Sequence, residues 1–206
     1  MSTLLQEKSV VDSFRGKKMV SSSTYSTLFV LSFTLSVVFP ITGGVFYEEL
    51  TEAISMKLVE KTTHLHFYFH DVVSGKDSTV VRIAGPPESS GTGFGDTMMT
   101  DDLLTEGPEL GSKIIGRAQG MYGVSAQHEL SLLMVMNYVF TEGKYNGSSV
   151  SILGRNHVLD DSREMPIVGG SGLFRLARGY ALAHTVKLDM KTGDAVVEYN
   201  VYVSHY

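Results

Sequence analysis

The residue with the clearest chemical potential is an aspartate that ends an apolar row. In His64-Leu-His-Phe-Tyr-Phe-His-Asp71, the two-residue period of a strand puts His64, His66, Tyr68 and His70 on one face. Leu65, Phe67, Phe69 and Asp71 share the other. A carboxylate in an inward apolar row needs a partner or has its pKa raised by desolvation. A carboxylic acid that titrates near neutrality is what general acid–base chemistry requires. The competing use of Asp71 is structural, as a cap on the turn at Ser74-Gly75.

A second long run, 173–188, alternates in the same way. Phe174, Leu176, Arg178, Tyr180, Leu182, His184, Val186 and Leu188 share a face, against Arg175, Ala177, Gly179, Ala181, Ala183 and Thr185. The small row would allow close packing. Arg178 in the bulky row is a candidate buried counter-charge, or an arginine that reaches solvent at a strand end. His64-x-His66 could chelate a metal, but a rise of about 3.3 Å per residue puts His70 roughly 13 Å from His66, too far to share one ion. Gly169-Gly-Ser-Gly172 lacks a third glycine, since Arg175 stands there, and no βαβ unit surrounds it, so a dinucleotide fingerprint fails. The residues give no metal site.

The elements that must carry these side chains are strands. From Thr62 onward the apolar period is two, over 64–73, 79–85, 94–101, 113–124, 130–141, 149–155, 164–168, 173–188 and 196–204, with Gly, Pro, Asn and Asp clusters between. Short connections without helical crossovers make neighbours antiparallel. About eight such strands in one domain are expected to close into an all-β barrel with no free edge. The run 130–141 is apolar on both sides. Leu130, Leu132, Met134, Met136, Tyr138 and Phe140 can fill the interior, whereas Leu133, Val135 and Val139 need another cover, and a second subunit would supply it.

Composition narrows the function classes. The chain of 206 residues carries 17 Lys+Arg against 22 Asp+Glu, a net charge of −5. That argues against nucleic acid or an anionic membrane as the main partner. There are no cysteines, which removes disulfides, thiolate metal sites and thiol catalysis. The uncharged stretch Leu28–Ile41 is shorter than the roughly 20 residues that span a bilayer and fits a signal-peptide core of roughly 7–15. Arg15, Lys17 and Lys18 precede it, and Met19 is an alternative start. The expected organisation is an N-terminal extension with a secretory signal over 1–44, a loose segment over 45–61 and the barrel over 62–206. Asn146-Gly-Ser148 is a glycosylation sequon, in keeping with export.

Four motifs carry a resemblance. Phe67-Tyr-Phe-His-Asp71, Gly116-Arg-Ala-Gln-Gly-Met-Tyr122, Phe140-Thr-Glu-Gly-Lys-Tyr-Asn-Gly147 and Gly169-Gly-Ser-Gly-Leu-Phe-Arg-Leu-Ala-Arg-Gly179, in that order, resemble plant dirigent proteins. The resemblance implies an eight-stranded antiparallel barrel of the allene-oxide-cyclase type, assembled as a homotrimer and secreted to the apoplast, with no cofactor and no membrane contact in the mature form. It implies stereocontrol over coupling of phenoxy radicals that an external laccase or peroxidase makes from a monolignol such as coniferyl alcohol. The alternative within the family is a pterocarpan-synthase-like cyclase acting on a quinone methide formed by dehydration of a 4-hydroxyisoflavan.

By position, the family's pocket aspartate, tyrosine and arginine fall on Asp71, Tyr122 and Arg163, which would be the catalytic groups. Phe67, Phe69, Asn156, Phe174 and Arg178 are the expected substrate-binding residues, and Asn146 the glycosylation site. Lignan-forming members carry a second aspartate where this chain has Asn156 and a second tyrosine where it has Val124. An asparagine hydrogen-bonds but does not act as a carboxylic acid.

Overall fold

The computed structural model describes residues 59–87 and 91–206. The proposed signal and nearly all of the 45–61 segment lie outside them. Among the described residues nine strands run in order: β1 (Lys61–Asp71), β2 (Val80–Ala84), β3 (Thr97–Thr105), β4 (Ile114–Val124), β5 (Ser131–Phe140), β6 (Ser149–His157), β7 (Arg163–Ser171), β8 (Arg178–Leu188) and β9 (Ala195–His205). The hydrogen-bonded order is β1-β9-β8-β7-β6-β5-β4-β3-β2, and β1 also pairs with β3. Eight strands therefore close into an antiparallel barrel, and β2 lies outside the ring on the first half of β3. The closure is short, with Tyr68, Phe69 and His70 opposite Thr105, Leu104 and Leu103.

Alternation builds the interior. Phe67, Met136, Tyr138, Ile152, Met165, Tyr199, Val201 and Val203 are almost wholly buried, each projecting from an inward row. Phe67 stacks on Tyr199 with centroids 5.6 Å apart and meets Tyr138 edge-on at 5.1 Å. Rings of this size need small residues beside them. Gly116, Ala118 and Gly120 supply them on β4, and Ala181 and Ala183 on β8. A Cβ on Gly120 would stand 2.2 Å from the Val135 carbonyl oxygen, so β5 can approach β4 there only because the side chain is absent.

The expected faces hold on β1 and β5 but invert on β8. There the small row faces inward, while Arg178, Tyr180 and His184 are exposed. The aromatic interior leaves room at β8 for methyl groups only, which turns the bulky row to solvent. The expected strand 173–188 also begins later, because Gly172–Phe174 form a 3-10 turn and Leu176 takes a φ of 61°.

One end of the barrel is plugged. Phe174 is fully buried between Phe140, Tyr145 and His205, with the Tyr145 ring stacked at 4.7 Å. The other end, where β1, β4 and β6 finish and β5, β7 and β9 begin, is open.

Candidate functional site

The open end holds a cavity of about 270 Å³, lined mostly by apolar side chains that include Phe69, Val124, Leu132, Met134, Met190 and Val197, with Tyr199 among them. Polar groups enter it from two walls. Around the ring, β1, β3 and β4 are consecutive, and β6 and β7 face them. Asp71 and Tyr122 thus stand on one wall, and Asn156 and Arg163 on the opposite one.

Asp71 is the last residue of β1, and the turn beyond it determines how it is used. The amides of Val73 and Ser74 each donate to Asp194 at 2.9 Å, and the Ser74 hydroxyl donates to the same carboxylate at 2.8 Å. Asp194 thus holds the turn, the task that Asp71 would have had as a cap. Asp71 accepts one long hydrogen bond, 3.4 Å, from the Tyr122 hydroxyl. Burial lifts the Asp71 carboxyl to about 7. The Asp102 charge, and less strongly that of Asp194, push the same way, against the Tyr122 hydrogen bond. Burial and the Asp71 charge hold Tyr122 well above its ordinary value, so its hydroxyl keeps its proton.

Across the cavity Arg163 is 4% exposed. Its Nε donates to the Asn156 side-chain oxygen at 3.0 Å and its Nη1 to the Asp160 carbonyl at 3.2 Å. Burial lowers its pKa, yet a guanidinium remains charged at any physiological pH. Among the described residues no carboxylate forms an ion pair with it, so the charge is free to meet an anionic oxygen on a ligand.

The structure brings Asp71, Tyr122, Arg163, Asn156 and Phe69 to one cavity. It places three other expected residues elsewhere. Phe67 lies buried in the aromatic core against Tyr199, Phe174 plugs the far end, and Arg178 is on the outside, its side chain 60% exposed and paired with Glu60 at 2.7 Å. Asn146 sits exposed at the tip of the β5–β6 connection. His64 and His66 bind Asn200 and Glu198 on the outer face.

Two groups escaped the sequence reading. Thr185, in the small row of β8, puts a buried hydroxyl at the cavity with no partner among the described residues. Asp102 is fully buried in the β3 row that also holds Thr100 and Leu104. The expected strand stopped at 101, which hid the alternation that points Asp102 inward.

Comparison with known proteins agrees with the barrel fold. The family of dirigent-like proteins matches residues 62–204. Dirigent protein 21 of Arabidopsis thaliana is 57% identical over 148 residues, 71% of this chain and 78% of its own. Pterocarpan synthase 1 of Glycine max is 47% identical over 184 residues, 88% of this chain and 98% of its own. A solved pterocarpan synthase dirigent protein superposes with a TM-score of 0.69 at 50% identity, covering 71% of this chain and 86% of that one. A barrel matched across its full length, at identities of this order, belongs to the dirigent family.

Proposed function

We propose that this protein imposes one stereochemical course on ring closure at a phenolic quinone methide formed in its own cavity by loss of water, as in a pterocarpan-synthase-type cyclisation. The observation that carries this reading is the placement of a poorly solvated Asp71, its carboxyl raised to about 7 by burial, on one wall and a buried, charged Arg163 with no carboxylate ion pair among the described residues on the other. The likeness to pterocarpan synthases over nearly the whole chain supports it. A volume at the small end of ligand pockets also supports it, being suited to a single fused-ring phenol.

The chemistry balances on these groups. Asp71 gives its proton to a benzylic hydroxyl, the C–O bond breaks and water leaves. The phenol para to that carbon loses its proton to solvent and becomes the quinone methide carbonyl, its oxygen held by Arg163. A second phenolic hydroxyl then bonds to the same carbon and returns a proton to Asp71, and the carbonyl oxygen regains one from solvent. The sum is loss of one water. Selectivity comes from holding one face toward the nucleophile. A difference of about 1.4 kcal/mol between faces already gives a tenfold bias.

The second reading is stereocontrol of monolignol radical coupling, with the radicals supplied by an external oxidase. It is favoured by the dirigent relatives at 51–57% identity and by an apolar mouth that can stack a second ring. In either case we place the protein in the apoplast after export, supported by the 28–41 stretch. We propose a homotrimer, supported by the exposed outer row Leu133, Val135 and Leu153 with the neighbouring Met99, Val81 and Ile83. Sedimentation of the purified barrel tests the assembly.

Chiral chromatography tests the function. Racemic 4-hydroxyisoflavan without oxidase should be closed with enantiomeric preference. Coniferyl alcohol with laccase should give a racemic product if cyclisation is the activity. Enantiomeric excess only in the second arm would favour coupling, and none in either arm would overturn both readings.

A further inference from the structure

The cyclisation makes no use of Asp102, yet it is the one fully buried carboxyl among the described residues. The β1–β3 register pairs Phe69 with Leu104 and His70 with Leu103. One step further sets Asp71 beside Asp102, both in inward rows. The Thr79 hydroxyl donates to one Asp102 oxygen and the Thr100 hydroxyl to the other. Such a carboxylate is satisfied in its ionised form. Among the described residues, Asp71 has only the long bond from Tyr122. Two neighbouring carboxyls in a dry wall do not both ionise readily, and the pair titrates as a unit. The retained proton belongs on the acid with fewer donors.

We propose that Asp102 is a positioning residue, a buried carboxylate clamped by Thr79 and Thr100 that keeps the pair's proton on Asp71, where the cavity can use it. This rests on the reading of Asp71 as the acid of the reaction. It also assigns a task to the segment outside the ring, because Thr79 immediately precedes β2.

The remaining groups around the pair do not substitute for Asp102. Asp71 is faced by Tyr122 from β4, Tyr199 from β9 and Asp194 from the β8–β9 loop, with Arg163 across the cavity. His70, Glu109, Lys187 and Asp189 border an adjoining cleft that Asp71 also lines. Asp102 is faced by Thr79 and Thr100, with Asp101 and Arg117 paired to each other on the outer side of the sheet. Burial lifts Asp102 itself to about 6, against its two hydroxyl donors.

Protonation of Asp71 can be read without substrate, as its carboxyl C=O band in infrared difference spectra against an Asp71→Asn background. The wild-type band should titrate near pH 7. In Asp102→Asn, whose amide can still bond both threonines, the midpoint should fall by about one pH unit or more. The pH profile of kcat/KM should move by the same amount, so that lower pH restores turnover, which a packing defect would not do. Thr100→Val removes one donor at nearly constant volume. It should shift the proton toward Asp102 and weaken the Asp71 band at pH 6.5. An unchanged Asp71 midpoint in Asp102→Asn overturns the proposal. If that variant does not fold, an unchanged band in Thr100→Val does so. A wild-type protein without product selectivity would overturn the functional reading alone, because the infrared titration still decides the role of Asp102.

Discussion

The Asp71 carboxyl is pushed up to about 7 because apolar walls, rather than a cation, surround it. A substantial share of it therefore carries a proton at neutral pH, and that environment separates it from the ordinary surface aspartates of the chain. Asp71→Asn preserves shape and removes the transferable proton. We expect a loss of about 10²–10⁴-fold in turnover, or a collapse of enantiomeric excess, with an unchanged circular dichroism spectrum. Arg163→Met keeps the apolar stem and removes the charge opposite. We expect a loss of about 10²–10³-fold in kcat, measured under the same conditions. Asp71 was legible in the sequence because three apolar residues in strict alternation, Leu65, Phe67 and Phe69, precede it. Arg163 and Tyr122 were not, since neither spacing nor composition marks them, and only the resemblance pointed to them. Arg178 was misassigned because a bulky row reads as an inward row until the partners that fill the interior are known.

The strands themselves were legible because period two persists from β1 to β9. What alternation does not say is which of two apolar faces turns inward, and on β8 that choice belongs to Tyr138, Tyr199 and Phe67, which already occupy the space. Ala183→Leu tests this point directly. Forcing a branched side chain into the filled interior should destabilise the barrel by about 1–3 kcal/mol, seen as a lower urea midpoint. The outer-face change Tyr180→Leu should cost much less, because Tyr180 is exposed. The expected ends of β3 and β7 were short by several residues for a related reason. Asp101-Asp102 and Gly169-Gly170 look like strand terminators locally, whereas neighbouring strands hold both pairs in the sheet.

For the whole molecule, the acids make stability depend on pH in two opposed ways. Asp71 and Asp102 have folded-state pKa values raised to about 7 and about 6. The stability they contribute is full below their unfolded pKa near 4 and is lost as pH rises through 6 and 7. Asp101 and Asp194 are lowered by their hydrogen bonds, and their contribution is lost as pH falls below about 4. The melting temperature should therefore peak between about pH 4 and 6 and decline toward pH 8. Asp71→Asn should flatten that decline, and differential scanning calorimetry across this range checks it. A Tm that rises from pH 5 to 8 in the wild type would contradict the buried state of both acids.

The aromatic plug at Phe174 has a kinetic consequence. A tunnel lets a product leave ahead of the next molecule, but a sack with one neck makes arrival and departure compete for the same passage. On the proposed cyclisation, a closed-ring product would have to leave through the open end before a fresh precursor could enter. Product and precursor should therefore be mutually exclusive occupants, and turnover should slow as product builds up in a way that added precursor relieves.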